Sequence, residues 1–387
     1  MSVADDPLEF FEEANDASRH KLTILSKYLQ PLTYKIGSRW PQLWIVDGFA
    51  GAGEYKPDAA RVAQPGSPRI AAVWAKDLER TRGRQVLRCI NVESHPKVYE
   101  TLRANLAPWK ELVDFRAGEF ADHLDGILET IGAAPAFFFL DPFGVNGIEM
   151  HLLERILARP SHTTELLIHF SDKSFKRMAG HLDDNERRSQ VGRAVADAKV
   201  ARLDAVIGSK LWQRIWLDKG RTTDERIGAI QDLYCSQLRE RGFRYAHRIP
   251  MRDIHGKRAR YTLVFATNSA HGMDMMSDIA CRYRRDLEDD AHEGTFELLW
   301  EEHRRDDHIS ALRDDIHRLG LQLGTATPQE LRHQLVADQF GQFTITDYNK
   351  AVRTLVAEER IDRPTAKGIK DDERLLFVSP PQQSMFG

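Results

Sequence analysis

Two apolar runs in this chain each end in an acid and then a sharp turn. The first is Trp44-Ile45-Val46-Asp47-Gly48-Phe49-Ala50-Gly51-Ala52-Gly53, and the second is Phe137-Phe138-Phe139-Leu140-Asp141-Pro142-Phe143-Gly144. An apolar run without polar alternation is characteristic of a strand covered on both faces, and parallel sheets flanked by helices cover strands in that way. Such a strand delivers its terminal acid and the following loop to the carboxyl edge of the sheet, where α/β proteins bind ligands. Two strand ends of this kind suggest a nucleotide-type cofactor at one and chemistry at the other.

The intervening and flanking sequence supports the same architecture. Leu8 to about Ile36 has apolar residues at helical spacing. Strands are expected at Leu43–Val46, Val86–Val92, Val113–Phe115, Ala136–Leu140 and Leu166–Phe170. Helices are expected from Ser67 toward Leu78, from Pro96 through Leu106, and over Phe120–Ile131 and Met150–Leu157. Pro96 stands at a first-turn position where its missing N–H costs nothing. Strands alternating with helices of this length imply βαβ units and a right-handed, doubly wound parallel sheet. Residues 181–242 read as a charged helical insertion or cap. Phe243–Met251 and Arg260–Thr267 read as a closing pair of strands around a polar turn.

The expected organisation is N-terminal helices over 1–40, a Rossmann-like core over 41–180, the insertion over 181–242, closing strands within 243–290, a helical linker over 291–320 and a terminal module over 321–387. In that module Thr327-Pro328-Gln329-Glu330 has the form of a capping box. A second helix is expected from a Thr346 cap through Tyr348, Val352, Leu355 and Val356. Ile361 to Val378 reads as two strands. Helix, turn, helix and hairpin at this length fit a winged helix.

The chain has 387 residues, three cysteines and a formal charge of -3. No apolar run approaches the roughly 18–20 residues that span a bilayer, and the start lacks the features of a secretory signal. A soluble cytoplasmic protein is expected. Cys89, Cys235 and Cys281 are far apart in sequence, which argues against disulfides and cysteine-rich metal sites, and no metal is expected. With no net positive charge, any polyanion contact must be local. The candidate patch is Arg239, Arg241, Arg244, Arg248, Arg252, Lys257, Arg258 and Arg260. Its alternative is an edge strand kept from aggregating by charge.

The glycines of Asp47 to Gly53 allow tight turning and close approach to a ligand. Their spacing is neither G-x-G-x-x-G nor that of a P-loop. It is similar to the D-x-F-A-G-x-G form of motif I in class I S-adenosylmethionine (SAM) methyltransferases. Asp47, Gly48, Phe49, Gly51 and Gly53 are therefore candidate cofactor contacts. Glu93, ending the second strand, is placed to accept hydrogen bonds from ribose hydroxyls. Glu119 falls near the adenine in such proteins, or else is an acid favoured at a helix start. Asp141, Pro142 and Phe143 are the catalytic candidates. Amino-methyltransferases hold a target amine in a D/N-P-P-Y/F turn whose aromatic ring stacks on the base. The D-P-F-G form here lacks the second proline and is similar to motif IV of tRNA N2-guanine dimethyltransferases. Both comparisons imply an exocyclic amine and disagree on the base. His169, Asp172, Lys173 and Arg177 follow the fifth strand on the same edge.

Taken together the chain resembles the three-Cys-motif partner (TcmP) family. The resemblance lies in Arg19-His20-Lys21-Leu22-Thr23-Ile24-Leu25 with Tyr28-Leu29, Val46 to Gly51, Pro65-Gly66-Ser67-Pro68, Phe138 to Gly144 and Tyr261 to Asn268, over about residues 15–380. It implies a class I methyltransferase-like core, a C-terminal winged helix and a radical-SAM-like partner protein that carries a three-cysteine motif. The expected function is SAM-dependent methylation of an exocyclic amine on a nucleic-acid base, RNA or DNA. The alternative is a degenerate SAM-binding adaptor that delivers the partner to nucleic acid. A nuclease is disfavoured, because no D-x-n-E-x-K run stands at a strand end.

Overall fold

The computed structural model describes residues 16–55, 64–159, 163–182, 190–252, 259–292 and 296–379. The chain divides into two compact units, one ending at Ser269 and the other running from Ala270 onward. The expected helical residues Leu8 to Asn15, and Lys257 and Arg258 of the basic patch, lie outside the described residues.

The first unit is built on one seven-stranded sheet. Its strands are β1 (Leu43–Asp47), β2 (Leu87–Glu93), β3 (Val113–Ala117), β4 (Ala136–Leu140), β5 (Thr164–Phe170), β6 (Tyr245–Arg252) and β7 (Ala259–Thr267). They lie side by side in the order β3-β2-β1-β4-β5-β7-β6. The first five are parallel. β7 pairs antiparallel with both β5 and β6. The chain reverses direction between β1 and β4, which opens a crevice at their carboxyl ends.

Helices cover both faces. α1 (Asp16–Gly37), α2 (Ser67–Arg82) and α3 (Pro96–Asn105) accompany the early strands. They are followed by α4 (Phe120–Ile131), α5 (Met150–Leu157) and α6 (Asp172–Ala179). Every residue of β1 and β4 is buried, as their unbroken apolar sequence requires. Along β4 the side chains alternate. Phe138 and Leu140 join the core under α4 and α5, while Phe137 meets the Tyr28 ring of α1 with centroids 5.5 Å apart. Each such phenylalanine contributes about 1.5–3 kcal/mol by leaving water.

The charged segment after α6 forms α7 (Gln190–Ile207), α8 (Leu211–Leu217) and α9 (Thr223–Glu240). Its apolar side does more than cover an opening. Trp212, Trp216, Ile230, Tyr234 and Leu238 belong to the same core as β4 and β5, and the Trp212 ring stands edge-on to Phe175 at 5.4 Å.

The second unit contains α10 (Ala270–His292), α11 (Phe296–Leu323), β8 (Thr325–Ala326), α12 (Pro328–Leu335), α13 (Ile345–Ala357) and β9 (Leu375–Leu376). The Thr327–Glu330 capping box forms as its sequence predicts. The cap of α13 is Thr344 rather than Thr346, because Thr344 has the acid Asp347 three residues on and forms a reciprocal box with it. β8 pairs antiparallel with β9, and the expected first strand of the terminal hairpin is reduced to one bridge between Ile361 and Phe377. Gly320 of α11 makes room for Phe377: a Cβ there would lie 2.2 Å from its ring. A buried ion pair between Arg332 Nε and Asp274 (2.7 Å) ties α12 to α10, and Arg332 also makes two bonds to Asp371.

Candidate active site

The crevice is lined first by the turn after β1. Gly51 and Gly53 have φ of 62° and 78°, in the left-handed region where other residues are strained. A Cβ on Gly48 would come within 2.8 Å of Leu140. The turn is closed from behind by Gly66, whose amide donates to the Gly53 carbonyl at 2.9 Å.

Asp47 is buried at the floor of this turn. Its Oδ1 accepts from the Phe49 amide at 3.1 Å, while Oδ2 is buried without a hydrogen-bond partner among the described residues. Burial raises its pKa to about 7, against the opposing influence of the Ser67 side chain, the Phe49 amide and Lys21. Asn91 is level with Asp47 in the β1–β2 register and is fully buried with both side-chain amide atoms unpartnered. Unsatisfied buried groups of this kind are costly in a finished protein, and here they sit together at a sheet edge.

Glu93 reaches over the turn from β2. One carboxylate oxygen accepts from the Gly51 amide at 2.9 Å and the other from the His95 amide at 2.7 Å. An ionised carboxylate has about four lone-pair sites, so each oxygen retains acceptor capacity. The Gly118 amide donates to the Glu93 carbonyl at 3.0 Å, which brings the loop after β3 alongside. Glu119 is exposed at the start of α4 and makes no side-chain cap. Phe49 turns inward instead, with its ring 5.9 Å from that of Phe120 and against Gly147.

The second strand end is occupied by charges. Lys21 of α1 is 8% exposed and forms an ion pair with Asp141 Oδ2. His169 Nδ1 lies 2.9 Å from Oδ1. Burial alone would raise the Asp141 pKa, but Lys21 and His169 outweigh it and hold the carboxyl well below the usual range. The His169 ring stands edge-on to Tyr261 at 4.8 Å. Tyr261 reaches this edge because β7 runs antiparallel. Thr267, at the other end of β7, is carried to the opposite edge and donates to Glu165.

α1 aims Lys21. Lys21, Leu25 and Tyr28 share a helix stripe at i, i+4 and i+7. Tyr28 is fixed at the far edge by its hydroxyl, which donates to Glu165 at 2.7 Å, and by its ring against Phe265. Two turns of helix then carry the stripe about 10 Å back toward Asp141.

Pro142 is buried and Phe143 is 67% exposed. Beyond Phe143 lies a groove of about 440 Å³ between the loop after β4, α6 and α7. Arg177, Lys199 and Arg202 line it. Lys173 is exposed, and Asp172 is turned inward to accept from Gln231 at 2.7 Å.

Among the described side chains of the expected basic patch, Arg239, Arg241 and Arg248 are bonded within the fold. Arg239 donates to the Ala246 carbonyl, Arg241 bonds Glu154, Gln237 and the Gly208 carbonyl, and Arg248 bonds Asp232. Arg244 lies over the Tyr245 ring.

The sheet, with its final strand inserted antiparallel between the fifth and sixth, decides the architecture. The fold is the Rossmann-like one of class I methyltransferases. No family model and no curated protein matches the sequence. Among solved structures, a Legionella pneumophila protein of the DUF519 family model is 13% identical, with a TM-score of 0.42 over 70% of this chain and 92% of that one. An O-methyltransferase from Bacillus cereus, solved with SAH, is 14% identical, with a TM-score of 0.34 over 69% of this chain and 93% of that one. The strand order itself, rather than these distant likenesses, carries the fold assignment. No helix among the described residues is long and apolar enough to cross a membrane.

Proposed function

We propose that this protein is a SAM-dependent methyltransferase acting on an exocyclic amine of a nucleic-acid base. The observation that carries the proposal is the convergence at one crevice of the glycine turn, the buried Asp47 with an unpartnered oxygen, and Glu93 with acceptor capacity to spare. These groups fit a ligand that has a cationic end and a ribose. Asp47 would hold the cationic end, Glu93 the ribose hydroxyls, and Gly48, Gly51 and Gly53 would let the backbone approach. Glu119, next to the Gly118 whose amide meets the Glu93 carbonyl, would meet the adenine. When bound, S-adenosylmethionine supplies an electrophilic methyl group.

The remaining chemistry belongs to the chain. Asp141 is too acidic to take a proton at neutral pH and serves as a hydrogen-bond acceptor for the incoming amine, whose proton leaves to water. Pro142 fixes the turn and Phe143 offers a stacking face. Catalysis is then mainly positioning, which is able to supply several kcal/mol of barrier reduction, up to about 7–11 kcal/mol in well-oriented cases. The resemblance to the TcmP family motivates a partner with a three-cysteine motif and a nucleic-acid role for the terminal module.

One observation favours a second reading. Both Asp141 oxygens already meet charged or titratable side chains, as they would in an adaptor that binds SAM and transfers nothing. Calorimetry with SAM tests the shared cofactor site, and absence of binding refutes both readings. Transfer of labelled methyl to RNA or DNA, with and without the partner, separates them. Transfer that persists in Asp141→Ala would remove the assigned role of Asp141.

A further inference from the structure

The groove beside Phe143 is lined by cations. Its cations are Arg177 on α6 and Lys199 and Arg202 on α7, and no acid lines it among the described residues. The protein as a whole carries a formal charge of -3. Other cations of this unit are neutralised: Lys176 of α6 pairs with Asp224, Arg241 after α9 with Glu154 and Arg248 of β6 with Asp232. The groove cations have no carboxylate partner among the described residues. Arg202 donates to Asn146 Oδ1 at 2.8 Å, and Lys199 meets His181 Nε2 at 2.8 Å. Arg177 has no partner among the described residues. Among the described residues no carboxylate compensates their charge, and hydrogen bonds hold two of them in place.

Beside these cations stand two apolar side chains that a folded protein would ordinarily cover. Phe143 is 67% exposed and Val195 is 48% exposed. An exposed aromatic ring next to fixed cations is the arrangement that tracks single-stranded nucleic acid: phosphates meet the cations and a base stacks on the ring. The volume of about 440 Å³ falls in the range of small-ligand sites.

We infer that this groove binds an unpaired nucleotide of a nucleic-acid strand, with backbone phosphate on Arg177, Lys199 and Arg202 and a base on Phe143. This rests on the transfer reading, because Phe143 is two residues from Asp141 and the same strand would present its amine there. A base still in its duplex cannot offer a face to Phe143, so the target is single-stranded or flipped out. An acidic peptide would satisfy the cations and leave the ring uncovered.

Fluorescence anisotropy of labelled single-stranded RNA and DNA with the full-length chain, at low and physiological salt, tests the assignment. The expected result is salt-sensitive binding of a single strand in preference to duplex. Arg177→Glu with Arg202→Glu should weaken binding by about tenfold or more and flatten the salt dependence. Phe143→Ala should weaken it by roughly tenfold, and Lys76→Glu with Arg80→Glu, away from the groove, should change nothing. The inference is overturned if the wild type binds no strand, if the groove variants bind like the wild type, or if duplex or polyglutamate competes as well as the single strand. Calorimetry with SAM on the same samples reports correct folding of the variants. A wild type that binds strand through the groove but does not bind SAM upholds the groove and overturns the cofactor reading.

Discussion

Replacing Lys21 by Met tests the central electrostatic claim, that α1 sets the charge state of the candidate catalytic acid. Lys21 is nearly inaccessible, and the Asp141 side chain retains 21% of its surface. Removing one member of a fully buried ion pair costs about 3–5 kcal/mol. Asp141 is partly hydrated and keeps His169, so the expected loss at neutral pH is about 2–3 kcal/mol, or a roughly 30- to 150-fold change in the unfolding equilibrium. The sign with pH is distinctive. In the wild type the folded pKa of Asp141 lies below its ordinary 3.8, so the pair stabilises above about pH 4 and that contribution is lost as pH falls further. In Lys21→Met burial is opposed by His169 without the lysine, so the folded pKa of Asp141 should rise. The penalty is then present at neutral pH and is relieved on acidification. Urea titrations at neutral and acidic pH, with hydrogen exchange resolving the β4 and α1 peptides, give the readout. Lys21→Met with Asp141→Asn should recover most of the loss. Equal destabilisation at neutral and acidic pH, or simple additivity in the double variant, would refute the coupling.

Three further outcomes are expected. With the Asp47 pKa raised to about 7, cofactor affinity should rise about tenfold between pH 6 and pH 8 as the carboxylate ionises, and Asp47→Asn should lose that dependence. In the unliganded protein the same shift has the opposite consequence: stability contributed by Asp47 falls as pH climbs from its ordinary value to about 7. Arg332→Met should destabilise the second unit by about 2–4 kcal/mol, because it takes the guanidinium from the buried Asp274 and leaves it His333 at 3.1 Å; a loss under about 1 kcal/mol by hydrogen exchange would contradict this. Gly320→Ala gains about 1 kcal/mol of helix propensity but drives a Cβ into the Phe377 ring, so a net loss of about 1–3 kcal/mol is expected, with Phe377→Leu restoring part of it.

The elements with strong local signals were legible in sequence. β4 spans the apolar run from Ala136 to Leu140, and α4 begins and ends at Phe120 and Ile131, because unbroken apolarity and helical periodicity are properties of neighbouring residues. The turn after β1 was legible for the same reason: Asp47 to Gly53 is a local turn, and Glu93 ends the next strand. The occupants of Asp141 were not legible together. Lys21 is 120 residues away from it, and the only local hint was a lysine on the buried stripe of α1 with Leu25 and Tyr28. Asn91 was hidden inside an apolar strand. The arginines after Glu240 show the reverse case, since a charge run in sequence does not tell which guanidiniums will be spent on carbonyls and carboxylates of the fold.

The position of β7 has a consequence for the order in which the protein is made. Strand β5 leaves the ribosome with one edge unpaired, and its final neighbour does not exist until Ala259–Thr267 has been synthesised. An open edge beside a parallel sheet invites pairing with other chains, and nascent chains meet this hazard before they are complete. The segment made in the interval is the one that packs Tyr234 and the tryptophans of α8 around Phe170 and Phe175. Those aromatic contacts use only residues made before Ala259, so the end of β5 can be packed before its last partner is synthesised.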